Sequence, residues 1–224
     1  MMHGFTQTQP KIENRVRSSI EQDQLDVLTQ FYSHQFNIVI WRRSLSDQLQ
    51  TAAEFISRTN RGLQLAISVD PEKAASALTK EIGSTELCAV FSKDVAELVE
   101  IFCCLFDQKN VGLRLKVLDS AMCPRFHVDR VPCRLVTTYH GIATQWLPDS
   151  AADRSKLGTG NGGFPDDASG LFTQPQSIQS IRRGDVALLK GELWEDNEGS
   201  GIIHRSPHIS NSDPRLLLTL DLLE

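Results

Sequence analysis

Hydrophobic residues in the first half of the chain recur mostly at three- and four-residue intervals, the spacing of amphipathic helices. This spacing predicts a helix over residues 15–32. Residues 44–47 read Ser-Leu-Ser-Asp, an N-cap signature that predicts a second helix directly after them. Pro71 suits the start of a third helix over residues 72–82, and Ser92 is expected to cap a fourth.

The hydrophobic spacing changes to every second residue after Val111, which is the period of a half-buried strand. Many short strands broken by Gly, Pro and Asp favour a sandwich or barrel. We therefore expect an α+β fold with one domain over residues 15–224, in which a helix-rich part, 15–110, covers one face of a sheet built mainly from 111–224. The predicted strands, including two in the first half, cover residues 36–41, 63–69, 111–117, 133–139, 144–147, 186–189, 201–205 and 216–222.

Two stretches lack any hydrophobic period. Residues 1–14 are polar, and we expect them to be flexible. Residues 148–180 are rich in Gly, Asp and Ser and form a long loop, for which we expect the role of a mobile lid. The glycine run at 158–163 lacks the Gly-Lys-Ser/Thr ending of a phosphate-binding loop, which argues against a nucleotide site there.

Composition narrows the class of protein. The 224-residue chain carries a formal net charge of −5 at pH 7, so its charge shows no footprint for nucleic acid. Its five cysteines are an odd, scattered set, which fits a reducing compartment better than a disulfide framework. Neither a secretory leader nor an apolar run of membrane-spanning length is evident. We therefore expect a cytoplasmic protein without nucleic-acid or membrane partners.

Candidate chemistry begins with His127 and Asp129. In an extended strand, residues two apart point to the same face, so this pair would present an imidazole beside a carboxylate. These are two of the three ligands of a facial metal triad, which leaves open positions for substrate and oxygen. His204 is the candidate third ligand. The bland alternative is that His127 only hydrogen-bonds Asp129 or a backbone carbonyl.

The last predicted strand separates Arg215 and Thr219 from a row of leucines on its other face. The leucine face suits contact with helices, which directs Arg215 and Thr219 toward a barrel interior. Because a buried arginine without a partner is costly, Arg215 needs a carboxylate from the protein or from a ligand.

Three groups of residues carry a resemblance to a known superfamily. They are His127-x-Asp129, the turn and strand Arg183-Gly-Asp-x-Ala-Leu-Leu, and His204-x-x-Pro-x-x-x-Asn-x-x-x-Arg215. In these motifs residues 111–222 resemble the iron(II)- and 2-oxoglutarate-dependent oxygenases, and within them the phytanoyl-CoA dioxygenase-like branch. The chain as a whole resembles the bacterial family DUF1826.

The resemblance implies a double-stranded β-helix, also called a jelly-roll or cupin-like fold, in the second half. By position His127, Asp129 and His204 would bind Fe(II), and Arg215 would bind the distal carboxylate of 2-oxoglutarate. Many members of the superfamily have Ser or Thr two residues after this arginine, where this chain has a leucine. Thr219 or Tyr139 would then supply the hydroxyl. The implied activity is that of an oxygenase, a hydroxylase by expectation, acting on a small-molecule or protein substrate.

Two other interpretations remain open at this point. One is a non-oxygenase, cupin-like protein that stores or senses a divalent metal, zinc or iron. The other is a zinc site with a different ligand set, which is conceivable because thiolate and imidazole suit Zn(II), although its spacing matches no common structural zinc site. That set consists of Cys123, His127, Asp129 and Cys133.

Three arginines around the candidate triad have either of two roles. Arg125, Arg130 and Arg134 are solvated strand residues, or they face the cavity and favour an anionic substrate.

Overall fold

The computed structural model describes residues 16–209 and 213–223, so the segment expected to be flexible, 1–14, lies outside the described residues. The fold is mixed α+β. Its helices in the described part of the chain are α1 (Asp47–Thr59), α2 (Pro71–Ile82) and α3 (Glu86–Leu105). Its strands there are β1 (Ser18–Gln22), β2 (Phe36–Trp41), β3 (Gln64–Val69), β4 (Val111–Leu118), β5 (Cys133–His140), β6 (Gln145–Leu147), β7 (Gln179–Ser180), β8 (Val186–Lys190), β9 (Ile203–Arg205) and β10 (Arg215–Leu222).

The strands form two sheets of unequal size. The large sheet has seven strands in the order β1-β2-β8-β5-β10-β4-β3, and the small sheet has three in the order β7-β6-β9. Among the strand pairs of the described residues, β1–β2 alone is parallel and the others are antiparallel. Because β2 pairs with β8 and β3 pairs with β4, the large sheet takes strands from both halves of the chain.

One face of the large sheet is covered by the helices. The helices bury alternate residues of β4, β5 and β10 together with their own apolar stripes, as the two periods of helix and strand require. We call this cluster the helix-side core. Its members include Leu78, Phe91, Val95, Phe102, Leu113, Leu115, Leu216, Leu218 and Leu220.

The other face of the large sheet packs against the small sheet. Trp146 of β6 and Ile202 lie in one buried cluster with Ile40, Ala187 and Leu217 of the large sheet. β10 therefore serves two cores, with its leucines at even positions on the helix side and its odd positions between the sheets. The predicted alternation of this strand is confirmed.

The sequence prediction is wrong at the start of the chain. Residues 15–32 are not one helix: they form β1 and a 3₁₀ helix, Leu25–Tyr32. β1 pairs in parallel with β2, a non-local interaction that outweighs the helical spacing of this stretch. Ser92 is likewise no cap. It lies buried inside α3, whose N-cap is Thr85, and the Thr85 hydroxyl accepts a hydrogen bond from the amide of Cys88 at 3.2 Å.

Other helix signals are confirmed. The Ser46 hydroxyl caps α1 by accepting the Leu49 amide at 3.3 Å. Pro71 is the first residue of α2 and follows the capping residue Asp70. None of the helices in the described ranges is long and apolar enough to cross a bilayer.

The long loop 148–180 has structure of its own. It contains four short 3₁₀ turns and the two residues of β7. Its Leu171 and Phe172 pack with Phe126, Leu147 and Ile203 in a small cluster that we call the loop cluster. The loop is thereby attached to the segments that carry the candidate histidines. Its proposed role as a lid stays a prediction.

Candidate metal and anion-binding site

The side chains of His127, Asp129 and His204 converge. The Nε2 atom of His127 lies 3.5 Å from Oδ1 of Asp129, and Nε2 of His204 lies 3.4 Å from Oδ2. One ligand atom from each residue lies within 4.8 Å of the other two. Within residues 16–209 and 213–223, this is the one group of three or more His, Cys, Asp or Glu side chains that meets this distance. Two imidazoles and one carboxylate are a donor set that suits a divalent transition metal.

The backbone brings the two histidines together through a single bridge. The amide of His127 donates to the carbonyl of His204 at 3.0 Å, and the reverse hydrogen bond is 2.9 Å long. We expected His127 and Asp129 on one regular strand. This expectation is wrong, because the bridge at His127 is isolated. Asp129 is instead fixed by a turn in which its carbonyl accepts the amide of Glu192 at 3.0 Å. Pro132, which has no amide to donate, follows this turn.

Hydrogen bonds to the backbone set the tautomers of both histidines. Nδ1 of His127 lies 2.9 Å from the carbonyl oxygen of Arg125, and Nδ1 of His204 lies 3.1 Å from that of Ile202. A carbonyl oxygen can only accept, so each Nδ1 carries a proton and donates it. In the neutral imidazoles the lone pair is then on Nε2, the atom that faces Asp129. This is the orientation that a metal-binding histidine needs.

The charge on Asp129 is stabilised by its neighbours. Burial alone would raise the pKa of this carboxyl group, but hydrogen bonds from the protonated forms of His127 and His204, and the charge of Arg134, outweigh it and lower the pKa well below the usual range. In return, the hydrogen bond with Asp129 raises the pKa of His127. A carboxylate that stays ionised is the form that binds a cation.

Asp166 connects the long loop to both histidine segments. Its carboxylate accepts the backbone amide of Phe126 at 2.9 Å, Nε of Arg125 at 2.9 Å and Nη1 of Arg205 at 3.3 Å. Phe126 directly precedes His127 in the sequence, and Arg205 directly follows His204. One buried carboxylate thus holds the backbone on either side of the candidate metal site.

Arg215 forms a second part of the site. Its side chain is fully buried, with 0% exposure, and lies among three neutral hydroxyl groups. Nη2 donates to Oγ1 of Thr144 at 2.6 Å and to Oγ1 of Thr138 at 3.0 Å, while Nη1 lies 3.4 Å from Oγ of Ser206. No carboxylate of the described residues pairs with this guanidinium. Burial lowers the pKa of Arg215 to about 10.

The structure separates the two residues expected to supply a hydroxyl beside Arg215. The expectation for Tyr139 is wrong, because this side chain belongs to the helix-side core and donates its hydroxyl proton to Asp94 at 2.5 Å. Thr219 points to the same face as Arg215 but lies four residues further along β10, roughly 13 Å at the rise of a strand. It lines the space between the sheets and does not reach Arg215.

Sequence reasoning missed the hydroxyl groups that do surround Arg215. Thr138 pairs directly with Leu217, the position where a hydroxyl residue was expected. The hydroxyl is therefore supplied across the ladder instead of along the strand. The register of β5 against β10 is the signal that would have found Thr138. The sequence carries no comparable signal for Thr144 and Ser206.

The geometry does not support the zinc set. Cys133 lies in the helix-side core, on the face of β5 opposite Asp129, and its burial raises the pKa of its thiol well above normal. Cys123 is exposed. Neither thiol belongs to the metal-ligand cluster found among the described residues.

The three arginines around the triad have different environments. Arg134 donates to Asp129 and Asp221, and Arg125 donates to Asp166. Arg130 is exposed. The simple interpretation as a solvated residue therefore fails for Arg134, whereas Arg125 is both exposed and paired with Asp166.

Comparisons with known proteins give one family match and several distant structural likenesses. The profile of a family described as "Protein of unknown function (DUF1826)" matches residues 22–221. A comparison with curated proteins gives no significant match.

The similar solved structures include three that share about a tenth of their residues with this chain. AtDAO1, a dioxygenase for auxin oxidation from Arabidopsis thaliana in complex with 2-oxoglutarate, is 9% identical, with 93% of this chain and 92% of that chain covered and a TM-score of 0.49. HygX from Streptomyces hygroscopicus, with nickel and 2-oxoglutarate bound, is 11% identical, with 88% and 85% covered and a TM-score of 0.45. EvdO2 from Micromonospora carbonacea var. aurantiaca is 11% identical, with 90% and 94% covered and a TM-score of 0.42.

Proposed function

The chain belongs to the DUF1826 family, and we propose that it is an oxygenase that depends on Fe(II) and 2-oxoglutarate. In this proposal His127, Asp129 and His204 bind the metal, and Arg215 binds the distal carboxylate of 2-oxoglutarate. The two packed sheets would form a double-stranded β-helix around this site. The reaction proposed is hydroxylation of a small-molecule or protein substrate.

The observation that carries the proposal is the environment of Arg215. A fully buried guanidinium needs a negative partner, because a charge in a low-dielectric interior is costly unless it is paired. The three hydroxyl groups around it are neutral, so they do not balance its charge. Each hydroxyl can also donate a proton to an oxygen atom of a ligand. The pocket therefore has the donors and the charge to bind a carboxylate.

The position of Arg215 relative to the triad fits one bifunctional ligand. Ser206, which Arg215 contacts, is two residues beyond His204, a distance of roughly 6–7 Å at the rise of a strand. Thr144, another contact, is two residues before Trp146, which pairs with His204 in the small sheet. A dicarboxylic acid with a short carbon chain spans such a gap, with one end on the arginine and the other at the metal.

The residues of the chain have distinct tasks in this scheme. Bound Fe(II) would supply the redox chemistry that couples decarboxylation of 2-oxoglutarate to oxidation of a substrate. His127, Asp129 and His204 would hold the metal through one ligand atom each, a set that leaves room for further ligands. Arg215 and its hydroxyl neighbours orient the co-substrate. The clusters around Trp146 and Phe126 exclude water from the inner side of the site.

The proposal is tested by replacing Arg215 with lysine, which retains the charge but loses the two-pronged guanidinium. We expect Arg215→Lys to weaken 2-oxoglutarate binding roughly ten- to a hundredfold, or ~1.5–3 kcal/mol, while metal affinity stays nearly unchanged. Calorimetric titration of 2-oxoglutarate into the metal-loaded protein under anaerobic conditions measures the change.

A matched control is Arg43→Lys. Arg43 is a partly buried arginine, but it pairs with Asp94 on the helix side of the large sheet. This variant should lose thermal stability without any change in 2-oxoglutarate affinity. If the wild-type protein binds the metal tightly but 2-oxoglutarate not at all, the oxygenase proposal is wrong and a protein that stores or senses a metal is the better description.

A further inference from the structure

The second oxygen of Asp129 is already engaged by the protein. Oδ2 accepts a hydrogen bond from Nη1 of Arg134 at 2.6 Å. The same guanidinium binds Asp221 with two more donors, Nε to Oδ1 at 2.7 Å and Nη2 to Oδ2 at 3.2 Å. Arg134 therefore bridges two carboxylates, and it holds only one oxygen atom of Asp129.

This bridge is built into the large sheet. Arg134 of β5 stands directly opposite Asp221 of β10 in the antiparallel register. Asp221 also accepts a hydrogen bond from Arg114 of the next strand, β4. The side chain of Asp221 is 9% exposed and that of Arg134 is 23% exposed, so water competes weakly for these contacts. Three adjacent strands thus fix the orientation of the Arg134 guanidinium.

We infer that Arg134 is a positioning residue that restricts Asp129 to one metal-binding oxygen. With Oδ2 held by Arg134, Oδ1 is the oxygen left for the metal. The inference rests on the proposed function only in assuming that a metal binds the triad.

The restriction of Asp129 to one oxygen matters because it determines how many coordination positions of the metal stay open. A carboxylate binds a metal with one or with both oxygens. Two histidines and a one-oxygen aspartate leave three positions of an octahedral ion open, enough for a chelating co-substrate and one further small ligand. If both oxygens of Asp129 were bound, one of these positions would be lost.

The charge of Arg134 keeps Asp129 in its ionised form. Arg134 divides its donors between Asp129 and Asp221, so only Oδ2 of Asp129 is engaged and Oδ1 stays available to a cation. Partners of this kind orient a ligand and are costly to remove, with typical losses of about 10- to 100-fold in metal affinity.

A purely structural ion pair is the competing explanation. In that case Arg134 would only tie β5 to β10 and to the turn at Asp129, and its loss would lower stability without changing the metal. A spectroscopic measurement separates the two, because the visible absorption of Co(II) depends on the number and geometry of its ligands.

The experiment titrates Co(II) into the full-length protein and three variants. Arg134→Gln removes both bridges, and Arg134→Lys keeps one donor that can reach Asp129 but cannot chelate Asp221. Arg43→Gln is the control, since it removes a paired, partly buried arginine from the helix side. We expect Arg134→Gln to weaken Co(II) binding about 10- to 100-fold and to change the Co(II) spectrum at saturation. Arg134→Lys should recover part of the affinity, and Arg43→Gln should match the wild type in both readouts.

The results of this titration distinguish a positioning role of Arg134 from a purely structural one. The inference is overturned if Arg134→Gln binds Co(II) with wild-type affinity and spectrum and differs only in melting temperature. If Arg134→Gln does not fold, Asp221→Asn gives the same test, because it loosens Arg134 without touching Asp129. A wild-type protein that binds no Co(II) contradicts the proposed metal site itself, and the inference fails with it.

Discussion

Gly191 lies against the backbone of the turn that carries Asp129. A Cβ atom at this position would be 2.0 Å from the carbonyl oxygen of Val131 and 2.9 Å from that of Asp129. Both contacts are with backbone atoms, which cannot rotate away as a side chain can. The absence of a side chain at one residue therefore sets the position of a candidate metal ligand.

We expect Gly191→Ala to displace the turn and to weaken metal binding by at least about tenfold, the lower end of the effect of misplacing a ligand. Gly112→Ala is a suitable control. A Cβ atom there approaches nothing closer than the flexible end of the Leu223 side chain, at 3.3 Å. Metal titration of both variants, with melting curves, measures the difference. Equal metal affinity in the two variants would contradict the role given to Gly191.

At the scale of elements, the loop 148–180 and the two histidine segments behave as one unit through Asp166. The carboxylate is 8% exposed and accepts from three donors, two of them guanidinium groups. Charge-assisted hydrogen bonds in such surroundings are among the stronger ones. The loop is long, and Asp166 holds it next to the site together with the loop cluster.

Asp166→Ala should lower the free energy of unfolding by about 1–3 kcal/mol, because it leaves the buried amide of Phe126 without an acceptor and removes the partner of Arg125 and Arg205. It should also make the loop more sensitive to limited proteolysis and weaken metal binding. Asp153→Ala is the comparison within the same loop, since its carboxylate only caps its own turn through Ser155. Wild-type proteolysis of the Asp166 variant would show that the loop is held elsewhere.

Local patterns predicted most of the regular elements, and non-local pairing explains where they failed. Helices α1 and α2 and the strands of the second half follow from caps and from the period of hydrophobic residues. Residues 18–22 became a strand only because β2 offers a parallel partner. The sequence of residues 18–22 does not by itself indicate this pairing.

The same distinction holds for the site. His127, Asp129, His204 and Arg215 were predicted from residue types, spacing and the resemblance to the oxygenase superfamily, and the structure brings the first three together. Their roles in binding remain predictions. The hydroxyl groups around Arg215 depend on how strands lie side by side, which residue order alone does not reveal. The incorrect choice of Tyr139 has a different cause: alternation along β5, which the sequence does indicate, sends it to the opposite face from Thr138.

At the scale of the whole molecule, Lys190 is a buried cation that the proposed chemistry does not use. Its ammonium group donates to the carbonyl of Ser33 at 2.9 Å and lies over the rings of Phe31 and Trp194. Burial lowers its pKa to about 8 from the ordinary 10.5. The folded protein therefore binds this proton less tightly than the unfolded chain does.

The sign of the pH effect follows from this difference. Below pH 8 both states are protonated and the folded state bears the full cost of the buried charge. Between pH 8 and 10.5 only the unfolded state remains protonated, so the contribution of Lys190 to stability rises with pH. Lys190→Met should stabilise the protein at pH 7 by about 1 kcal/mol or more, and the advantage should shrink across this interval. Chemical denaturation at pH 7, 9 and 10.5 checks it, and a difference independent of pH would contradict it.

The two-sided packing of β10 has a consequence for how a ligand enters the site. This strand is bonded to β4 and β5 and buries leucines on the helix side, so its backbone amides should exchange with solvent only when the whole domain unfolds. We therefore expect Arg215, at the start of this strand, to be among the last residues exposed when the protein opens. Thr144 and Ser206 belong instead to the margin of the small sheet, which has three strands. We expect ligand entry and release to depend on movement of the small sheet, and the proposed co-substrate 2-oxoglutarate should slow amide exchange in β6 and β9 while leaving β10 unchanged.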